Sequence, residues 1–388
     1  MPFKEVTKME RKTEFVMLAE QPNANMSQLC RRFGISRPTG YKWLARYRAE
    51  GLDGLAERSR RPHSSPNKTP EAIEELVEDA RDNDRSWGGR KLAHHMRRQA
   101  EAGALDISPD QVPAPSTITA ILDRRGLLDA KETSGRQGPW TRFERATSNA
   151  LWQMDFKGEF KLDNGDWCYP LTIVDDHSRY AVATEACSNQ RRPTVKGHLQ
   201  AIFGRYGLPE AILCDNGAPW GSPQRFPDGR PYYTQLAAWL MRLNIRVSYS
   251  RPGHPQSKGK NERFNGTLDV ELLRFERFSD QHQAQQQMAD WRGRYNTVRP
   301  HEALDMATPA SRYQPSPVEL PEALPPVQYG PDDTTRKVSD GGLISFRGQT
   351  FRVGKAFTGH RVAVRASAAP QDRKVFFCNH HIRTITLT

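Results

Sequence analysis

Around residue 151 the spacing of apolar residues changes from helical to strand-like, and the order of elements that follows leaves few folds open. "LWQMDFKGEFKL" reads as a strand, "DNGD" as a turn and "WCYPLTIVDD" as a second strand. Asn-Gly between strand-like runs is a strong hairpin signal. "RYAVATEAC" supplies a third strand. A helix over 193–206 follows, then Gly207-Leu208-Pro209, the short apolar strand "AILCD", a helix over 232–243 and the strand "IRVSYS". Two long helices, about 257–275 and 280–296, complete the run. Three antiparallel strands followed by alternating helices and strands predict a mixed sheet with helices on its faces.

The flanks differ from this centre. Residues 1–56 read as three helices. In the first, Met9, Val16 and Met17 are among the apolar positions; Asn25 caps the second and Gly34 ends it; Ser36 and Pro38 open the third. Helix, tight turn and second helix form a helix-turn-helix pattern, whose second helix enters the major groove N-terminus first. That makes Arg37, Thr39, Tyr41 and Lys42 candidate DNA contacts, while Trp43, Leu44 and Tyr47 belong to the core. A small helical bundle without groove contact fits the same pattern. Residues 57–70 are a basic, proline-rich linker, and 71–128 form a second helical unit of the same type. A linker over 129–148 leads into the central domain, 149–314. Residues 315–333 are a proline-rich linker, and 334–388 alternate in short runs punctuated by glycine, which predicts a small all-β barrel or sandwich. The chain is therefore multidomain: all-α, then α/β, then all-β.

Charge narrows the partners. Lys and Arg total 57 against 45 acids, a net charge of +12, which favours an anionic partner. Residues 1–70 hold 14 Lys/Arg and 7 acids, and 334–388 hold 10 and 2, so both ends are expected to meet nucleic acid. No apolar run approaches the ~20 residues of a spanning helix, and the N-terminus has no signal-peptide core. Five scattered cysteines, none in a C-x-x-C pair, fit a reducing cytoplasm and argue against a zinc cluster.

Three acids stand out. Asp155 interrupts the first strand, Asp215 ends "AILCD", and Glu262 sits in the first turns of a helix with a basic entrance. Each has an ordinary structural explanation: turn residue, strand end, or a carboxylate complementing a helix N-terminus. Glu262 lies opposite the stripe marked by Phe264, Leu268, Leu272 and Phe275. Together the acids suggest convergence at the strand ends. Converging carboxylates need cations, and oxygen-only ligands suit Mg²⁺ or Mn²⁺; two such ions can activate an attacking oxygen and stabilise a leaving one. Lys258 and Lys260, facing solvent, are then expected to hold DNA phosphates, and Asn216 beside Asp215 joins the DNA-binding candidates.

"WQMDFKG", "LCDNGAPW", "HPQSKGKNERFNGTL" and "YNTVRPHEAL" resemble the motifs of bacterial insertion-sequence transposases with a retroviral-integrase-like catalytic core, and the resemblance covers nearly the whole chain. It implies a ribonuclease H-like core with Asp155, Asp215 and Glu262 as the DDE triad. It also implies metal-dependent cleavage at the terminal inverted repeats, transfer of the 3′-hydroxyl into target DNA, and action as a homodimer or larger multimer on the bacterial nucleoid. Two departures are visible. Asp269 stands where relatives often carry a basic residue, and 46 residues separate Asp215 from Glu262, with the excess in the loop "WGSPQRFPDGRPYY". A DNA-binding regulator that does not cut, or a structure-selective nuclease, are the alternatives.

Overall fold

The computed structural model describes residues 7–58, 68–128, 144–222, 224–250 and 259–387, and the chain divides into two compact units, Met1–Lys68 and Thr69–Thr388. In the first, α1 (Lys8–Ala19), α2 (Met26–Phe33) and α3 (Arg37–Glu50) are followed by a 3-10 turn, Gly51–Leu55. Side-chain oxygens set each helix start. Thr7 and Glu10 form a capping box at α1, Asn25 accepts from the Ser27 and Gln28 N–H groups, and Ser36 accepts from Thr39 N–H. At Gly40 of α3 an added Cβ would lie 2.7 Å from Cys30 Sγ and 2.9 Å from Phe15 Cζ, so any side chain there would push the helices apart. Phe15, Val16, Ala19, Cys30, Leu44 and Leu55 form the core. Met9 and Met17 are 40% and 51% exposed, contrary to their reading as apolar positions. Met17 falls on the far side of the stripe that Phe15, Val16 and Ala19 define, and Met9 sits on its flank in the first turn.

The second unit begins with α4 (Glu71–Asn83), α5 (Gly89–Glu101) and α6 (Pro115–Arg124), packed around Val77, Trp87, Leu92, Met96, Ile118 and Leu122. Residues 102–114 separate α5 from α6, far more than the ~3–4-residue turn of a helix-turn-helix. Glu74 is buried and held by Arg124 (2.6 Å), the last residue of α6, and Arg125 (3.2 Å), which follows it, and this fixes α4 against α6.

The centre is a mixed sheet. β1 (Trp152–Phe156), β3 (Trp167–Asp175) and β4 (Ala181–Cys187) are antiparallel, while β5 (Ala211–Cys214) and β6 (Arg246–Tyr249) run parallel to β1, in the order β4-β3-β1-β5-β6. The short β2 (Phe160–Lys161) pairs with the start of β3, one residue out of step with the register of β1. Helices α7 (Arg192–Tyr206) and α8 (Gln235–Arg242) pack on one face, around Trp152, Met154, Ile173, Leu199, Phe203 and Leu240. On the other face α9 (Gly259–Leu268) and α10 (Gln281–Thr297) pack around Val174, Phe264, Leu268, Met288 and Tyr295. The end of α9 widens into a π-helical turn, Asp269–Leu273. Phe275, read as the end of the buried stripe, is 50% exposed, because that turn breaks the 3.6-residue period before it is reached.

The C-terminal strands are β7 (Thr334–Lys337), β8 (Leu343–Phe346), β9 (Gln349–Arg352), β10 (Arg361–Ala366), β11 (Asp372–Phe377) and β12 (His380–Thr386). They form an open antiparallel sheet, β12-β11-β10-β7, and a separate β8-β9 hairpin, not the closed barrel expected. The reason lies at β12. Its outer edge is occupied by residues of the loop before α8: Thr384 N–H donates to Asp228 Oδ2 (2.7 Å), and Arg230 donates to the His381 carbonyl (3.1 Å). An edge covered in this way needs no closing strand. The core of this sheet, including Phe357, Val362, Val375, Phe377 and Ile382, is shared with Ala238 and Met241 of α8.

Candidate active site

Alternation along β1 decides what Asp155 meets. Trp152 and Met154 pack toward α7 and α8, so Gln153 and Asp155 point to the face covered by α9. On β5, Ile212 and Cys214 likewise pack toward α7 and α8, which leaves Leu213 and Asp215 for the α9 face. The two strands are parallel, with Trp152 opposite Ile212 and Gln153 opposite Leu213. Pairing is recorded as far as Gln153 opposite Leu213, and Asp155 and Asp215 each follow two residues later along the chain. The Asp215 carboxylate is oriented by its own turn, in which Gly217 N–H donates to Oδ1 (2.9 Å).

Glu262 is carried by a helix that buried polar groups lock to β1 and β3. The side-chain amide of Asn261 donates to the Gln153 carbonyl (3.3 Å), and its backbone N–H donates to Gln153 Oε1 (3.3 Å). Thr172, the cross-strand partner of Asp155, has its hydroxyl 3.1 Å from Asn261 Oδ1, 2.9 Å from Asn265 Oδ1 and 3.2 Å from the Asp155 carbonyl. A hydroxyl has one hydrogen and donates to one acceptor; an Asn265 amide turned the other way would donate to it instead.

Lys260 does not face solvent. Its ammonium lies 2.6 Å from Asp176 Oδ1 and its side chain is 15% exposed. Asp176 is fully buried at the end of β3 and also accepts from Gln153 Nε2 and Arg145 N–H, both at 2.8 Å. A buried carboxylate draws in a counter-charge, which is why the side chain turns inward. Burial pushes the Lys260 pKa down to about 8, with the Asp176 hydrogen bond opposing the fall. Asp269 is paired with Lys157 (3.1 Å) and Arg274 (2.7 Å). Burial works against its charge, but hydrogen bonds from Arg274 and Lys157 more than offset this and lower its pKa.

The candidate residues are brought together unequally. Asp155 and Asp215 are half-buried, whereas Glu262, in the first turn of α9, is exposed. Among the described residues no three of His, Cys, Asp and Glu lie close enough to hold one metal ion. Lys258 lies outside the described residues. Asn216 is engaged within the fold: its amide donates to the Ser250 carbonyl (2.8 Å) and its Oδ1 accepts from Arg225 (3.0 Å). Within the first unit, Arg37, Tyr41 and Lys42 are exposed along the start of α3, while Thr39 is half-buried with its hydroxyl 2.9 Å from that of Ser36. Gln153, Thr172, Asn261 and Asn265 were not singled out in the sequence. The signal was there: Asn261, Phe264, Asn265 and Leu268 follow i, i+3, i+4, i+7, so the two asparagines share the buried stripe.

Comparison with known proteins agrees with this sheet. Models of the integrase core domain match residues 145–255 and 243–309. A model described as the leucine-zipper of insertion element IS481 matches 4–82, and the C-terminal domain of the IS481 family transposase matches 333–388. An insertion element IS476 protein of 39.2 kDa from Xanthomonas euvesicatoria is 26% identical, covering 72% of this chain and 75% of that protein. An insertion element IS407 protein of 31.7 kDa from Burkholderia multivorans is 24% identical, covering 69% and 90%. Among solved structures, the HTLV-2 integrase catalytic core domain in complex with magnesium is 18% identical, covering 44% of this chain and 99% of that one, at a TM-score of 0.32. The sheet order and the matched central segments define a protein with an integrase core. Models from the IS481 family of insertion-element transposases flank that core at both ends, and the chain resembles this family over its N-terminal, central and C-terminal segments.

Proposed function

We propose that this protein binds the terminal inverted repeats of its element, hydrolyses a phosphodiester at each end and joins the freed 3′-hydroxyl to target DNA. The observation that carries the reading is the parallel β1–β5 register, which supports Asp155 and Asp215 acting side by side on the face that α9 covers. Asp155, Asp215 and Glu262 are the catalytic carboxylates in this reading. Their chemistry fits Mg²⁺ or Mn²⁺, since the donors are oxygen only. Asp155 and Asp215 would hold the ions, two of them, with Glu262 completing the donor set. Such ions, when bound, activate an attacking oxygen and stabilise a leaving one.

The chain's own residues do the positioning. Gly217 N–H orients the Asp215 carboxylate, Asn261 keeps the Glu262 helix against β1, and Asn265 keeps it against β3. The exposed Arg37, Tyr41 and Lys42 suit the N-terminal end of a groove-reading helix. The basic C-terminal sheet contacts DNA phosphates without sequence preference. The protein works as a homodimer or larger assembly that holds two ends together, on nucleoid DNA in the bacterial cytoplasm.

A regulator that binds DNA without cutting is the second reading. It is favoured by the lack, among the described residues, of three carboxylates close enough for one ion. Incubating the purified protein and Mg²⁺ with a labelled fragment of its element's terminus separates the two. Strand cleavage that disappears with Asp155→Asn supports the enzyme; binding with no cleavage at any Mg²⁺ or Mn²⁺ concentration supports the regulator.

A further inference from the structure

The loop between Asp215 and α8 joins two parts of the second unit that the sequence treats as separate. At one end it is fastened to the turn that follows Asp215. Arg225 donates to Asn216 Oδ1 (3.0 Å), and Asn216 in turn bridges to the Ser250 carbonyl beyond β6 (2.8 Å). Gly221 sits so close that an added Cβ would lie 2.8 Å from the Tyr249 ring and 3.0 Å from the Asn216 backbone. Trp220 is buried and stacks on Phe156, the residue after Asp155, with ring centroids 5.1 Å apart.

At the other end the loop folds back on itself and seats on β12. Phe226 N–H donates to the Arg230 carbonyl (2.8 Å), Tyr232 N–H donates to the Gln224 carbonyl (3.1 Å), and the Phe226 and Tyr232 rings stack at 4.1 Å. Asp228 accepts from Thr384 N–H (2.7 Å), and Arg230 reaches the His381 carbonyl (3.1 Å) and His381 Nδ1 (2.7 Å). The Arg383 guanidinium lies 4.6 Å over the Phe226 ring. Arg225 stands between the two fastenings, on the residue next to Phe226.

We infer that Arg225 is a positioning residue that transmits the seating of the C-terminal sheet on Asp228 and Arg230 to the Asp215–Asn216 turn. Contact between the basic sheet and DNA phosphates then bears on how the Asp215 carboxylate is held. The inference rests on the reading of Asp215 as catalytic only for its effect on cleavage; the mechanical coupling stands apart from it. Arg225 and Asp228 are exposed, so their substitution leaves the core intact.

The test is amide hydrogen exchange of the full chain, alongside the Mg²⁺ dependence of cleavage of the element's terminus. Arg225→Ala is expected to speed exchange at 216–221 by about tenfold and to leave 380–386 unchanged. Asp228→Ala with Arg230→Ala is expected to speed exchange at both segments. Arg225→Lys, which retains the charge and one donor, is expected to recover most of the protection at 216–221. In cleavage, Arg225→Ala is expected to raise the Mg²⁺ concentration needed for half-maximal rate while leaving end binding as it was. Unchanged exchange at 216–221 in the Asp228/Arg230 variant overturns the coupling. Full cleavage by Asp215→Asn overturns the catalytic reading instead, and leaves the exchange result to judge the coupling alone.

Discussion

Asn261 donates its side-chain amide to the backbone carbonyl of Gln153 and its backbone N–H to the Gln153 side-chain oxygen, and these bonds tie the helix bearing Glu262 to the strand bearing Asp155. The bonds are buried, and the Thr172 hydroxyl lies against the other side of the Asn261 carboxamide. A buried polar cluster of this kind specifies register more than it adds stability, because each group left unpaired is costly.

Thr172→Val keeps the shape of the side chain and removes its hydroxyl. With Asn261 and Asn265 losing a shared partner, the variant should lose roughly 1–3 kcal/mol of stability. Urea denaturation of the full chain measures this, and a cleavage assay on the same variant should show a rate loss with end binding retained. An unchanged urea midpoint would mean that water or another side chain replaces the hydroxyl.

Lys260→Met should destabilise the protein by roughly 3 kcal/mol, since it strands the buried Asp176 without its cation. Asp176→Asn in the same chain should restore part of the loss. Lys260 was expected to hold phosphate, and its commitment to Asp176 changes that expectation. Neutralising it should lower the salt slope of DNA binding by less than the ~1 unit of a phosphate contact.

His301 sets an acid limit. It is buried against the Arg299 guanidinium (3.4 Å) and the Tyr295 ring (4.7 Å), and burial, with Arg299, Lys91 and Arg179 adding to it, pushes its pKa down to about 2. The unfolded chain takes up the proton near the ordinary histidine value of about 6.5 while the folded chain refuses it, so stability is full above that value and falls as pH drops below it. The slope approaches ~1.4 kcal/mol per pH unit below about pH 6. Urea midpoints of wild type and His301→Gln at pH 7 and pH 5 should differ, with wild type losing more on acidification. Parallel losses would remove His301 as the source.

On α3, Arg37→Ala should cost roughly 1–3 kcal/mol in binding to the terminal repeat if it reads a base edge, with relaxed preference at one position. Ser36→Ala should instead cost about 1 kcal/mol of fold stability, because its oxygen caps the helix. Binding to a panel of terminal sequences separates the effects: a uniform loss with Arg37→Ala would make it a phosphate contact.

The elements of the central sheet were legible because their signals are local. Asn164-Gly165 set a hairpin, and Gly165 takes the φ of 91° that this turn requires. The carboxylates were legible as interruptions of apolar runs, Asp155 in β1 and Asp215 just past β5. Other features were not, and for a common reason. Lys260 reads as an exposed cation until the buried Asp176, 84 residues earlier, is known to face it. Closure of the C-terminal strands into a barrel was a fair reading of alternation alone, but the sequence does not say that the edge of β12 belongs to a loop 151 residues upstream. Phe275 followed the helical period, and the π-helical turn at Asp269–Leu273 shifted the phase beneath it.

The seat of Asp228 on Thr384 also has a consequence in time. The two residues are 156 apart in sequence, and the contact between them closes a loop of that length. Joining such distant segments costs chain entropy before it returns anything, so contacts of this range set the slow end of folding. Helices α4 to α6 and the β3–β4 hairpin assemble from near neighbours and need no such wait. The edge of β12, the shared core around Met241 and the turn after Asp215 therefore belong to the last events of refolding. A chain interrupted at that stage carries a formed sheet whose carboxylate turn is still loose.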